Sequence, residues 1–263
     1  MEEIVDALVA QQSELWSLVT GLDDDALRRP TRCSGWSVTD VLLHLAQTNE
    51  LAVASTGGRF DTAVGDTALG DAVVTSGPIG SVDDWAAAAV DAERGADPAA
   101  VRDRWRASAD AQVAGFLAGD PRRRVRWVAG DLAARTLATT RLAETWIHTG
   151  DVASGLGVDL DPTDRLRPIA RLAWRTIPYA FERAGQPPPG PVAFHLRAPD
   201  GSPWDFVPDA PAAGADPTTM TIIRGDAIDL CLVAGRRGTA AATGLTGEGP
   251  DAAAVLDLVR TFA

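Results

Sequence analysis

The segment GQPPPGP at 185–191 divides the chain into two stretches that no single architecture accommodates. Its consecutive prolines favour a stiff, extended path and cannot enter a helix interior or a central strand without loss of hydrogen bonds. Before it, apolar residues recur at helical spacing; after it, they alternate as in a half-buried strand. The pattern predicts a mainly α protein: a helical bundle with an extra helix over 1–185, then a small α+β domain over 190–263. At 263 residues, each part is long enough to bury a core of its own.

In the first stretch, Ile4, Leu8, Leu15 and Leu18 predict a helix from Glu2 to about Leu22, ended by the acidic run Asp23–Asp25. Ser37, with Asp40 three residues on, is a capping pattern that starts a second helix and places His44 near its second turn. Residues 56–80, rich in Gly, Asp and Thr, read as a loop long enough to cover a site. Helical spacing returns over Ser81–Leu117, interrupted near Gly95–Pro98. Asp131 is the expected N-cap of a fourth helix that closes at Gly155 or Gly157. Four helices joined in this way suggest an up-and-down bundle whose interior can hold ligands. The extra helix, about Asp164–Ala184, carries Arg167, Arg171 and Arg175 on one solvated stripe and is expected to bend at Pro178.

Beyond the prolines, Val192, Phe194 and Leu196 alternate with Ala193, His195 and Arg197, which puts His195 on the polar face of a strand. Asp200-Gly201 offers the turn to a partner strand, Trp204–Val207. TTMTIIRG reads as a further strand, GDAIDLCLVAGRR as a helix in which Cys231 is packing, and DAAAVLDLVRTF as a terminal helix.

A formal net charge of −12 argues against a nucleic-acid surface, which needs clustered positive charge. No apolar run approaches the length that spans a bilayer, and the acidic start MEEIVDALVA is unlike a signal peptide. The expected setting is cytoplasmic, as a monomer or homodimer, with Cys33 and Cys231 reduced. All 24 basic side chains are Arg, in keeping with the codon usage of a GC-rich genome. Without lysine, Schiff-base catalysis and a P-loop are both excluded.

Two of the three histidines fall inside amphipathic helices. Glu144 and His148, four residues apart, share one helical face, and His44 can face them from another helix. Asp151 and Arg141 extend the same polar stripe. Asp151 is placed to accept the second N–H of a ligating His148, and Arg141 to neutralise a carboxylate, a substrate's included. Two imidazoles and a carboxylate suit Zn2+, Ni2+ or Fe2+ and leave coordination positions open to water or substrate. The same spacing also fits a plainer arrangement, with Glu144 and His148 as a hydrogen-bonded helical pair and His44 as an ordinary core histidine. Cys33 sits in the loop just before the helix of His44, a position that can bring it near the site, but no histidine pairs with it in sequence.

The segments CSGWSVTDVLLHLAQTNE and TRLAETWIHTGDVASGLG resemble the DinB-like metal-binding bundle, and within it the mycothiol-dependent maleylpyruvate isomerase family of actinobacteria. The likeness covers about the first 160 residues, through G-W, H and E-x-x-x-H in that order. Residues 190–263 are similar to the smaller sterol-carrier-like domain that follows the bundle. The resemblance implies that His44, Glu144 and His148 ligate a divalent metal, with Zn2+ the first choice. It also implies mycothiol as cosubstrate and a role for one C-terminal arginine, Arg236 or Arg237. Trp36, next to the start of the helix of His44, is expected from its position to line the pocket.

The implied activity is that of an isomerase or S-transferase, in which a thiol of lowered pKa attacks a small electrophilic substrate. Two alternatives stand beside it. One keeps the metal but activates water for hydrolysis or lyase chemistry. The other is a non-enzymatic module that binds a metal structurally and an apolar ligand in its second domain.

Overall fold

A computed structural model of the chain describes residues 1–65, 82–128, 130–208 and 220–261. These form two compact units, Met1–Leu160 and Asp161–Ala263. The first is built on four long helices: α1 (Glu2–Val19), α3 (Val38–Thr56), α6 (Pro98–Leu117) and α7 (Ala134–Leu156). Shorter helices α2 (Asp24–Leu27), α4 (Phe60–Gly65) and α5 (Val82–Glu93) and a small hairpin, β1 (Arg124–Val125) with β2 (Leu132–Ala133), fill the connections. Helix α1 packs on α6 and α7, and α3 packs on the same two, closing a ring. Leu15, Val41, Leu42, Leu45, Trp105 and Val152 meet in its core.

Several boundaries follow the sequence signals. Ser37 and Asp40 form a reciprocal capping box at the start of α3, so two otherwise unpaired backbone N–H groups are satisfied. Asp97 caps α6 with Pro98 in its first turn, where the missing N–H costs nothing. Gly157 adopts the left-handed conformation, φ 73°, that ends α7.

Others differ. Helix α1 stops at Val19, and Asp23 caps α2 through the Ala26 amide. Asp131 is not the N-cap of α7: the chain pairs as β2 before the helix begins after Ala133, and the Asp131 carboxylate lies 3.6 Å from Arg126. Of the expected loop at 56–80, residues 66–80 lie outside the described set, while Phe60–Gly65 is helical.

The extra helix differs twice. It is two helices, α8 (Leu166–Arg175) and α9 (Ile177–Arg183), separated at Thr176, with Pro178 in the first turn of α9. It also falls in the second unit, against the expected boundary at 185. The reason is its apolar face: Leu166, Ile169, Ala170 and Ala173 are buried, and α8 packs on the sheet and on α10 (Ala227–Ala234) of that unit. Arg167, Arg171 and Arg175 are exposed, as the stripe predicts.

The second unit's sheet has strand order β4-β3-β5-β6, formed by β3 (Val192–Arg197), β4 (Pro203–Phe206), β5 (Thr221–Asp226) and β6 (Thr246–Glu248). Strand β3 pairs antiparallel with β4 and parallel with β5. The edge strand β6, with all three residues exposed, carries no apolar pattern by which the sequence could reveal it. Helices α10 and α11 (Ala252–Leu258) complete the unit, and Cys231 is buried in α10 with its thiol pushed up in pKa by burial. His195 lies on the polar face of β3, 2.5 Å from Asp205.

Candidate metal centre and its surroundings

Helices α3 and α7 bring His44, Glu144 and His148 together in the first unit. Glu144 Oε2 stands 3.6 Å from His44 Nε2 and 3.7 Å from His148 Nε2. These separations exceed ordinary hydrogen bonds. They are close to the spacing of about 3.4 Å expected between ligands held 2.0–2.1 Å from a tetrahedral ion. The other carboxylate oxygen, Glu144 Oε1, is buried with no hydrogen-bond partner, a costly state for an acceptor that nothing coordinates. The donor set and this orphaned oxygen fit a divalent cation.

Electrostatics sort the three residues. Burial pushes His44 down to about 4, aided by the charges of His148 and Arg141 and opposed by Glu144, so its imidazole is neutral and available as a ligand at neutral pH. Burial alone would raise Glu144, but His148, His44 and Arg141 hold it well below the usual carboxylate range. Burial would also discharge His148, yet its hydrogen bond to Asp151 and the nearby Cys33 and carboxylate of Glu144 keep its pKa well above the ordinary value. Without a metal, Glu144 and His148 thus form a buried ion pair.

Asp151, one turn beyond His148 on α7 and fully buried, accepts from His148 Nδ1 at 3.1 Å through Oδ2. Arg141 lies one turn on the other side of Glu144. Its Nη2 donates to Thr48 Oγ1 at 2.7 Å and Asn49 Oδ1 at 3.3 Å, while its buried Nε has no partner. Burial lowers its pKa to about 10, which leaves it charged. Thr48 follows His44 by one turn, so the guanidinium sits under the triad. The polar network continues from Asn49 to Ser108 and Gln112 on α6 and from there to Gln12 on α1, tying all four helices together.

The loop before α3 supplies two more residues. The Trp36 ring centroid lies 5.3 Å from that of His44 and 6.4 Å from that of His148, so it walls the triad. Cys33 Sγ is 3.0 Å from Asp151 Oδ2 and 3.8 Å from His148 Nδ1. Its position before α3 suggests that Cys33 lies near the site, but nothing in the sequence pairs it with His148, from which 115 residues separate it. Only Gly155 points to it: a Cβ there would stand 2.5 Å from the Pro30 carbonyl oxygen, and its absence lets the loop lie against α7.

Arg236 and Arg237 belong to the second unit, just past α10. Arg236 is exposed, has φ 59° and donates to the Asp257 carbonyl at 3.4 Å; Arg237 donates to the Gly235 carbonyl. An open cleft of about 570 Å³ in the same unit is lined by the hydrogen-bonded pair His195–Asp205 and the ion pair Arg197–Asp226 and contains none of the triad residues. Among the described residues, no helix is long and apolar enough to cross a membrane.

Fold and site together define a DinB-like helical bundle with an appended α+β unit. The family model described as the mycothiol maleylpyruvate isomerase N-terminal domain matches residues 8–153, and the chain belongs to that family. An uncharacterised protein of Mycobacterium tuberculosis, found in two strains, is 33% identical over 262 residues, covering 97% of this chain and 93% of the relative. Crystal structures of the mycothiol-dependent maleylpyruvate isomerase and of a mutant of it superpose with a TM-score of 0.58. They share 17% and 18% identity with this chain, over 95% of each. At that identity the likeness is one of fold.

Proposed function

We propose that this chain is a divalent-metal-dependent enzyme that uses mycothiol, or a closely similar low-molecular-weight thiol, either to isomerise a small electrophilic substrate or to be transferred onto it through sulfur. The observation that carries the proposal is the convergence of His44 Nε2, His148 Nε2 and Glu144 Oε2 within ion-binding reach, beside an unsatisfied Glu144 Oε1. A divalent ion held there, with Zn2+ best suited to this donor set, supplies the positive charge that lowers the pKa of a thiol. Family membership points to a thiol rather than water as the nucleophile.

The chain's own residues serve this chemistry in distinct ways. His44 stays neutral, Glu144 stays ionised, and Asp151 turns the Nε2 of His148 toward Glu144 by accepting at Nδ1. Trp36 provides an apolar wall beside both imidazoles, which limits water. Arg141 holds positive charge beneath the triad, favouring anionic ligands such as a thiolate or a substrate carboxylate. For isomerisation, the thiolate adds to an activated cis double bond, the resulting single bond rotates, and elimination releases the trans product and returns the thiol. Arg236 or Arg237 is the candidate for the second unit's contribution. The test is turnover of a cis-configured, electron-poor alkene acid with and without mycothiol. Dependence on the thiol supports the proposal; full activity in its absence refutes it.

A further inference from the structure

We infer that Cys33 is a positioning residue: its thiol holds the Asp151 carboxylate, which in turn fixes the orientation of the His148 ring. Both groups meet one oxygen. Cys33 Sγ donates to Asp151 Oδ2 at 3.0 Å, and His148 Nδ1 meets the same atom at 3.1 Å. Asp151 is fully buried, so an oxygen shared by two donors has its position set by both.

The atoms Cys33 Sγ, His148 Nδ1 and Asp151 Oδ2 also lie close enough together to ligate an ion. Their spacing argues otherwise. The contacts to Asp151 have hydrogen-bond lengths, 3.0 and 3.1 Å, whereas the contacts of Glu144 to the two histidines are wider, at 3.6 and 3.7 Å. One side of the His148 ring therefore belongs to a hydrogen-bonded chain and the other faces the cation seat.

The placement of the thiol is built rather than incidental. Trp36 N donates to the Cys33 carbonyl at 3.0 Å, and the Cys33 amide donates to Thr31 Oγ1 at 3.2 Å. Thr31 returns both its amide and its hydroxyl to the Trp36 carbonyl. Gly35, at φ 77°, makes the turn possible, and Gly155 lets the loop dock on α7. Cys33 and Trp36 thus reach His148 as one rigid unit.

The inference deepens the metal-site proposal, and its test separates the two. In metal-free protein, NMR should show a hydrogen-bonded His148 Nδ1–H resonance that exchanges slowly in wild type and in Cys33→Ser, and that is lost or exchanges much faster in Cys33→Ala. With Zn2+, chelator competition should show affinity about tenfold weaker for Cys33→Ala and within about threefold of wild type for Cys33→Ser, the usual scale for outer hydrogen bonds of a metal site. An unchanged resonance and affinity in Cys33→Ala overturns the inference, as does equal loss in both variants. A sulfur-to-metal charge-transfer band in the Co2+ form also overturns it, because the thiol is then a ligand. If the protein binds no ion, the metal proposal fails, and the NMR comparison still decides the role of Cys33.

Discussion

Gly155 of α7 meets the Pro30 carbonyl so closely that a Cβ at this position would stand 2.5 Å from the oxygen and 3.1 Å from the Thr31 Cα. Both obstacles are backbone, so no side-chain rotation relieves the clash. Gly155→Ala should push the loop at 31–36 away from α7, costing about 1–3 kcal/mol, the range for overpacking a tight contact. Urea unfolding measures the loss. Tryptophan fluorescence should change with it, because Trp36 moves with the loop.

Arg141 is a buried charge whose described partners are neutral oxygens. Arg141→Ala removes donors from Thr48 and Asn49 and leaves a void in the centre of the bundle. A loss of about 2–4 kcal/mol in unfolding free energy is expected. Arg141→Met fills most of the volume and should recover part of that loss. It should also weaken binding of an anionic inhibitor, read by titration calorimetry.

The pH dependence of the metal-free protein isolates His44. Its folded pKa of about 4 lies below the ordinary histidine value of 6.5, so the unfolded chain binds the proton first as pH falls. The stability associated with neutral His44 is present above pH 6.5 and is lost progressively toward pH 4, by up to about 3 kcal/mol. His148 has the opposite sign: its raised pKa contributes stability below 6.5 that is lost as pH rises through the folded value. In the window from about pH 6 to 5, His148 is largely protonated in both states and Glu144 is largely ionised in both, so the slope there belongs mainly to His44. His44→Gln should flatten it in urea titrations of metal-free protein.

Much of this arrangement is legible in the residues themselves. Ser37 with Asp40 announces α3, and the four-residue step from Glu144 to His148 gives a shared face. What brings His44 to that face is the packing of α3 on α7, and spacing within one helix carries no information about a neighbouring helix. Family resemblance supplied that link. The position of Cys33 before α3 suggests nearness to the site, but its partner is not legible for the same reason, because it is joined to Asp151 by tertiary contact across 118 positions. The unit to which the extra helix belongs is not legible, because its amphipathic pattern shows that one face is buried but not against what. The strand pair before α7 has only two residues on each side, too few for a period.

The two C-terminal arginines can be separated by substitution. Arg236 is exposed with a left-handed backbone at the end of α10, so Arg236→Gly relieves strain and should not destabilise the fold. If Arg236 assists the reaction, Arg236→Gly should lower kcat without lowering the unfolding midpoint. If Arg237 does, Arg237→Gln should produce that loss while Arg236→Gly is neutral. Steady-state kinetics beside thermal melts resolve the pair.

The most direct measurement is Zn2+ stoichiometry by equilibrium dialysis, on wild type and His148→Ala, with circular dichroism to confirm folding and thiol-dependent turnover measured on the same samples. The account predicts one ion per wild-type chain, none in folded His148→Ala, and activity that needs both ion and thiol. A folded wild-type protein that takes up no Zn2+, Ni2+ or Fe2+, or one that turns over equally well without them, would contradict it.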